Sequence, residues 1–209
     1  MNWIFRGALI VSLITLTACV SAGKVWPEQI GIVLDAESRE PIEGAIVVVR
    51  WIGTISALVD SQTTCYHVES ATTDAQGRYR VPAWTKMPGP VRHNEVHYTA
   101  YKPGYRHVRT DMATGEQQLR SDARGVKERL EYLSGMVRSV GCHEAGKSER
   151  ALYELRAAIY YEARALNAPG DLLQWMREMA ASAWLAHEPS MSQHEHDKAV
   201  SDFLKGNLQ

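Results

Sequence analysis

The segment Ala45-Ile46-Val47-Val48-Val49-Arg50-Trp51 is β-branched on both of the faces that a strand would present. Side chains alternate across a strand, so a half-buried strand is apolar only at every second position. A run that is apolar at both parities belongs between two covering layers. Whatever fold this chain adopts must therefore place material on each side of residues 45–51. Neighbouring segments supply further strands. Ile30, Ile32 and Leu34 alternate with Gly31, Val33 and Asp35, and a polar turn follows from Asp35 to Pro41. Pro41-Ile42-Glu43-Gly44 punctuates the next connection. In Thr72-Thr73-Asp74-Ala75-Gln76-Gly77-Arg78-Tyr79-Arg80-Val81, Asp74 can bond backbone two residues on and Gly77 can supply a positive φ, before Tyr79 and Val81 alternate inward. Glu95 to Tyr101 reads as another strand, ending at Lys102-Pro103-Gly104-Tyr105, where proline then glycine suits a type II turn. Short strands with regular turn signals predict a β-sandwich.

The same residues carry a resemblance. Gly31-x-Val33-x-Asp35, Pro41-Ile42-x-Gly44-Ala45-x-Val47, Thr73-Asp74-x-x-Gly77-x-Tyr79 and Lys102-Pro103-Gly104-Tyr105 resemble the carboxypeptidase regulatory-like domain family. The resemblance covers roughly residues 28–110 and implies a transthyretin-like (prealbumin-like) sandwich of about seven strands. Its motifs set turns and core positions, and they imply no reaction. Such domains accompany metallocarboxypeptidases, stand at the entrance of outer-membrane receptors, or occur as lone lipoproteins. The stretch Gly53 to Val68, which holds Cys65, departs from the family by standing where it often has a short connection.

After Thr110 the apolar period lengthens. Val126, Leu130, Leu133, Val137 and Val140 form one helical stripe. Ser148 is placed to cap a second helix with the stripe Leu152, Leu155, Ile159, Ala163 and Leu166, which Asn167-Ala168-Pro169-Gly170 stops. Asp171-Leu172-Leu173-Gln174 reads as a capping box opening a third, with Leu172, Trp175, Met176, Met179, Ala183 and Ala186 on its buried side. Asp197 to Lys205 is a weaker helical segment in a polar end. The expected class is α+β: an N-terminal sandwich followed by three or so packed α-helices.

The first residues point to export. One positive charge at Arg6, the apolar run from Ala8 to Leu16, and the small residues Thr17-Ala18 before Cys19 have the layout of a secretory leader. The apolar run is too short to be a spanning helix, which needs roughly 20 residues. Leu16-Thr17-Ala18-Cys19 resembles a bacterial lipobox, which implies diacylglycerol on Cys19 and cleavage before it. Val20, rather than Asp, after that cysteine favours an outer membrane over an inner one. Cys65 and Cys142 are the two other cysteines. In an exported chain they read as a disulfide closing a loop of about 77 residues, a constraint of about 4 kcal/mol. Two separately buried thiols, or a zinc site with the neighbouring His67 and His143, are the alternatives.

Several clusters have the composition of a site. His93, Glu95 and His97 stand at i, i+2 and i+4 and would share one face of a strand, where two imidazoles and a carboxylate could meet a metal ion. Eight histidines in 209 residues also produce such spacing by chance. His194-Glu195-His196-Asp197 reads as a solvated tail with adventitious metal affinity at most. Trp26, Trp51 and Trp84 read as core or rim packing in preference to a stacking platform for sugar or peptide. There is no Gly-x-Ser-x-Gly elbow, His-Glu-x-x-His pair or glycine-rich phosphate loop. Tyr132-Leu133-Ser134-Gly135 lies inside a helical stripe, and Tyr105-Arg106-His107 is only superficially like the signature of a purine-pathway hydrolase that shares the transthyretin-like fold. A formal net charge of −1 argues against a nucleic-acid partner.

The resulting expectation divides the chain into a lipoprotein signal peptide (1–18), a lipid-anchored linker (19–27), the sandwich (28–110), a helical region packed on it (111–188) and a polar tail (189–209). The expected role is a non-catalytic binding or scaffolding module. It would work without a cofactor, held by lipid at the periplasmic side of an outer membrane and partnered by protein or glycan. A structural subunit of an envelope complex such as a secretion system, and a metal-dependent envelope hydrolase using His93, Glu95 and His97, are the other readings.

Overall fold

The computed structural model describes residues 24–56, 61–86, 91–185 and 192–207; the leader, Cys19 and the start of the linker lie outside them. Among the described residues there are nine strands in three sheets and four α-helices, an α+β arrangement with strands first and helices after. One sheet has four strands, in the order β5 (Arg78–Val81), β2 (Gln29–Asp35), β9 (Glu116–Ser121), β8 (Tyr105–Asp111). The other has three, in the order β4 (Ser61–Thr72), β3 (Ile46–Ser56), β7 (Val91–Tyr101). β1 (Lys24–Trp26) and β6 (Trp84–Lys86) form a separate antiparallel ribbon. All pairings are antiparallel except β2 with β9.

β3 fulfils the two-layer expectation. Val47, Val49 and Trp51 point into a core shared with Val33, Tyr79, Val81 and Leu119 of the four-stranded sheet. Val48 and the partly buried Ile46 point the other way, into a second core with the helices. The molecule thus has three layers, with the three-stranded sheet in the middle. The helical layer consists of α1 (Val126–Ser139), a 3₁₀ segment (His143–Leu152), α2 (Tyr153–Ala165), α3 (Gly170–Leu185) and α4 (Gln193–Asn207).

The turns follow the local chemistry. Asp74 Oδ1 accepts from the backbone N–H of Gln76 at 3.0 Å and of Arg78 at 2.8 Å. Gly77 sits at φ +71°, where a Cβ would also stand 2.6 Å from the Val33 carbonyl. The Pro103-Gly104 turn closes through Tyr105 N–H to the Lys102 carbonyl at 3.0 Å, with Gly104 at φ +77°. α2 stops in a Schellman arrangement: Asn167 takes φ +54°, its N–H bonds the Arg164 carbonyl, and the Ala168 N–H bonds the Ala163 carbonyl.

Three expectations are corrected. The sandwich does not end at Thr110. Residues assigned to the start of the helical region form β9 and the turn that joins it to β8, and β9 contains a single aliphatic residue, Leu119, so it carries no alternation to detect. Gly53 to Val68 is not a long connection, since most of it lengthens the β3–β4 hairpin. The helical segment read at Asp197 to Lys205 is present and longer, as α4, opened by a capping box in which Ser192 Oγ and N–H both donate to Glu195 Oε2, at 2.7 and 2.9 Å. The capping box read at Asp171 does not form: α3 begins one residue earlier, at Gly170, and the Gln174 amide donates instead to Glu178 at 2.9 Å.

Candidate functional site

The cysteines and ion pairs weld the helices to the middle sheet. Cys65 on β4 is bonded to Cys142, just after α1, with Cα atoms 4.9 Å apart. The thiols are consumed, so a zinc site built from them with His67 does not form; the side chain of His143 lies outside the described residues. Arg129 interrupts the apolar stripe of α1 and is only 4% exposed. Its guanidinium grips Glu162 of α2 through two bonds, Nε to Oε1 at 2.9 Å and Nη2 to Oε2 at 2.8 Å. It also donates to the Tyr105 carbonyl and to Asp122 Oδ2. Glu162 further accepts from the Tyr101 hydroxyl at 2.6 Å and the Gly104 N–H at 3.0 Å. Burial works against the charge on Glu162, but Arg129 and Tyr101 outweigh it and hold the carboxyl below its ordinary value. Asp122 is held low by Arg124 and, after a burial penalty, by Arg129. These charges are fully used in joining elements. The expected stripe on α1 holds at Leu133, Val137 and Val140, with Leu130 partly buried; Val126 at its start is 52% exposed, and Arg129 and Met136 join the buried face.

The clusters singled out in the sequence separate. Glu95 and His97 do share a face of β7, with His97 Nε2 3.1 Å from Glu95 Oε2, and both are exposed. They border a cleft of about 450 Å³ with Tyr98, Thr110 and Met112. The side chain of His93 lies outside the described residues, and among those described no three His, Cys, Asp or Glu side chains gather as a metal site would require. Glu195 is committed to Ser192, and the side chain of His196 is not described. Trp26, Trp51 and Trp84 pack on one another at one end of the sandwich, and His67 stacks on Trp84 with ring centroids 3.7 Å apart. Burial pushes the adjacent Tyr66 hydroxyl up to about 12.

What the sequence reading passed over is the outer face of the four-stranded sheet. Val33, Tyr79, Val81, Gln117 and Leu119 point inward, so the opposite parity points out. On β2 and β5 the directly opposed outward pairs are Ile30 with Arg80 and Ile32 with Arg78. On β9 and β8 they are Arg120 with Arg106 and Gln118 with Arg109. An aliphatic ridge therefore runs between arginines on three strands. Ile30 is 61% exposed. A groove of about 740 Å³ lies over this ridge, bordered by Ile30, Ile32, Arg78, Arg80, Asp74 and Thr114. Glu28 and Glu37 sit 3.2 Å from Arg80 and Arg120, and Glu116 is held by Arg39 at 2.9 Å. Arg78, Arg106 and Arg109 make no ion pair among the described residues. The signal was present as Arg78-x-Arg80, but a whole-chain charge of −1 hides a local excess.

No family model, curated protein or solved structure matches the chain.

Proposed function

We propose that this protein is an exported bacterial lipoprotein, anchored through acylated Cys19, whose sandwich and helices form one non-catalytic binding or scaffolding module of the cell envelope. The observation that carries the reading is the Cys65–Cys142 disulfide in a chain that opens with a leader ending Leu16-Thr17-Ala18-Cys19. Disulfides persist in oxidising compartments, and the leader leads to one. The valine at position 20 favours the outer membrane, facing the periplasm. Packed sheets of four and three strands fit the resemblance to the carboxypeptidase regulatory-like domain. The strongest charges are committed to joining elements, which supports recognition by a surface over chemistry in a pocket.

Labelled palmitate should enter the protein, and Cys19→Ser should abolish both labelling and retention in the membrane fraction. A Cys19→Ser chain that still partitions fully with membranes would contradict the reading.

A further inference from the structure

The four-stranded sheet has one face in the core and one face bare. We infer that the bare face lies on an anionic phospholipid bilayer, with Ile30 and Ile32 facing the headgroup region and Arg78, Arg80, Arg106 and Arg109 bonding lipid phosphates. The inference rests on the lipid-tether reading and gives it an orientation.

Three observations support this occupant. The first is reach. Only four residues stand between Cys19 and Lys24, where β1 begins, and a fully extended tether of that length spans at most about 18 Å from Cα to Cα. β2 starts three residues after β1 ends, so the ridge is built from the second strand past the anchor. The second is charge. The four arginines lie on β5 and β8, the two outermost strands, and strands spaced about 4.8 Å apart set the two pairs about 15 Å apart across the sheet. Among the described residues only Arg80 of the four has a carboxylate beside it, Glu28 at 3.2 Å, and a planar array so little neutralised matches a plane of phosphates better than a point ligand. The third is the amphipathic content. Arginine side chains beside the exposed Ile30 and the half-buried Ile32 combine electrostatic attraction with apolar burial, the pairing that interfacial segments use. Exposed Val25 and Lys24, on the ribbon nearest the tether, extend the same character. The helical layer covers the opposite side of the molecule, so nothing among the described residues competes for this face.

The attraction should be short-ranged and salt-sensitive, since the screening length is about 10 Å at 0.1 M salt. Each arginine near an anionic surface should change binding by roughly fivefold.

The test uses the full protein purified from membranes and reconstituted into phosphatidylcholine vesicles, with or without phosphatidylglycerol. Arginines are modified with phenylglyoxal and located by peptide mass spectrometry. On the anionic vesicles Arg78, Arg80, Arg106 and Arg109 should react several-fold more slowly, the protection should fade with added salt, and Arg138 and Arg164 on the helices should react alike on both. Arg78→Glu with Arg80→Glu should remove the protection of Arg106 and Arg109. Equal reactivity on the two vesicles would overturn the inference, as would protection seen only in whole envelopes that contain other proteins. The same peptide map reads the N-terminus. Acylated Cys19 with unprotected arginines sinks the docking face and leaves the tether standing. An unacylated chain sinks the tether, and sedimentation of that chain with anionic vesicles then decides the face: salt-sensitive binding supports it and no binding overturns it.

Discussion

The two packed sheets begin from the same inner core and differ on their second faces. The three-stranded sheet turns Ile46, Val48, Val68 and Tyr101 outward and is covered by helices. The four-stranded sheet turns Ile30, Ile32 and five arginines outward and is left bare. The covered face carries a disulfide and a saturated ion network at its margins. The bare face carries arginines of which several have no partner. Polar groups that are buried must be satisfied within the chain, whereas exposed charges can be satisfied by something else. The difference separates the side of the molecule that holds it together from the side available to meet its surroundings.

The sharpest way to break this contrast is to damage each side in turn. Removing the disulfide with Cys65→Ser and Cys142→Ser should cost about 4 kcal/mol on the chain-entropy argument, read from urea unfolding. Glu162→Ala strips the buried Arg129 guanidinium of its two-bond partner and leaves it Asp122, and the same unfolding curves should show a loss of about 3 kcal/mol, the low end for breaking a buried pair. A negligible effect of both changes would mean that the helices are not fastened as described.

Acid tests the fastening in another way. Glu162 and Asp122 have carboxyl groups held below their ordinary values, and burial lowers the affinity of His107 for its proton. For all three the folded value is depressed. Their contribution is therefore complete above the unfolded values, about 6.5 for histidine and about 4 for the carboxylates. It is lost as pH falls through the folded ones. The urea midpoint should be flat from about pH 7 to about pH 9, below the range in which unfolded tyrosines ionise, and decline on acidification, and Glu162→Gln should flatten the lower part of that decline. A smaller effect, about 1 kcal/mol, is expected for Ser192→Ala, confined to the first turn of α4 and visible as faster amide exchange there. Smallest of all, Arg78→Glu should move stability by less than about 0.5 kcal/mol, because the side chain is exposed. A large loss from that change would mean that the bare face is structural after all.

Much of this was legible in the sequence where local chemistry alone decides the outcome. The β3 run announced two covering layers, Gly77 and Gly104 marked their turns, and Cys65 paired with Cys142. Other features depend on partners far along the chain. Arg129 reads as a solvent-facing residue until Glu162, from another helix, is placed beside it. β9 is a strand because β2 and β8 flank it, and its buried Gln117 is satisfied by His107 and Thr110 across the hairpin. The arginine face was missed for a third reason. Alternation along one strand is visible in a sequence, but the lateral alignment of β5, β2, β9 and β8 that gathers Arg78, Arg80, Arg106 and Arg109 is not. The Glu95–His97 pair shows the converse: the strand placed them together as read, yet proximity of two exposed side chains leaves their chemistry undetermined by spacing alone.

The most direct test is the mass of the protein recovered from bacterial membranes, mapped by peptide without reduction. The account predicts an N-terminus at Cys19 carrying a diacylglyceryl group, and a peptide containing Cys65 linked to one containing Cys142. A chain that retains Met1, with both of those thiols free, would contradict it.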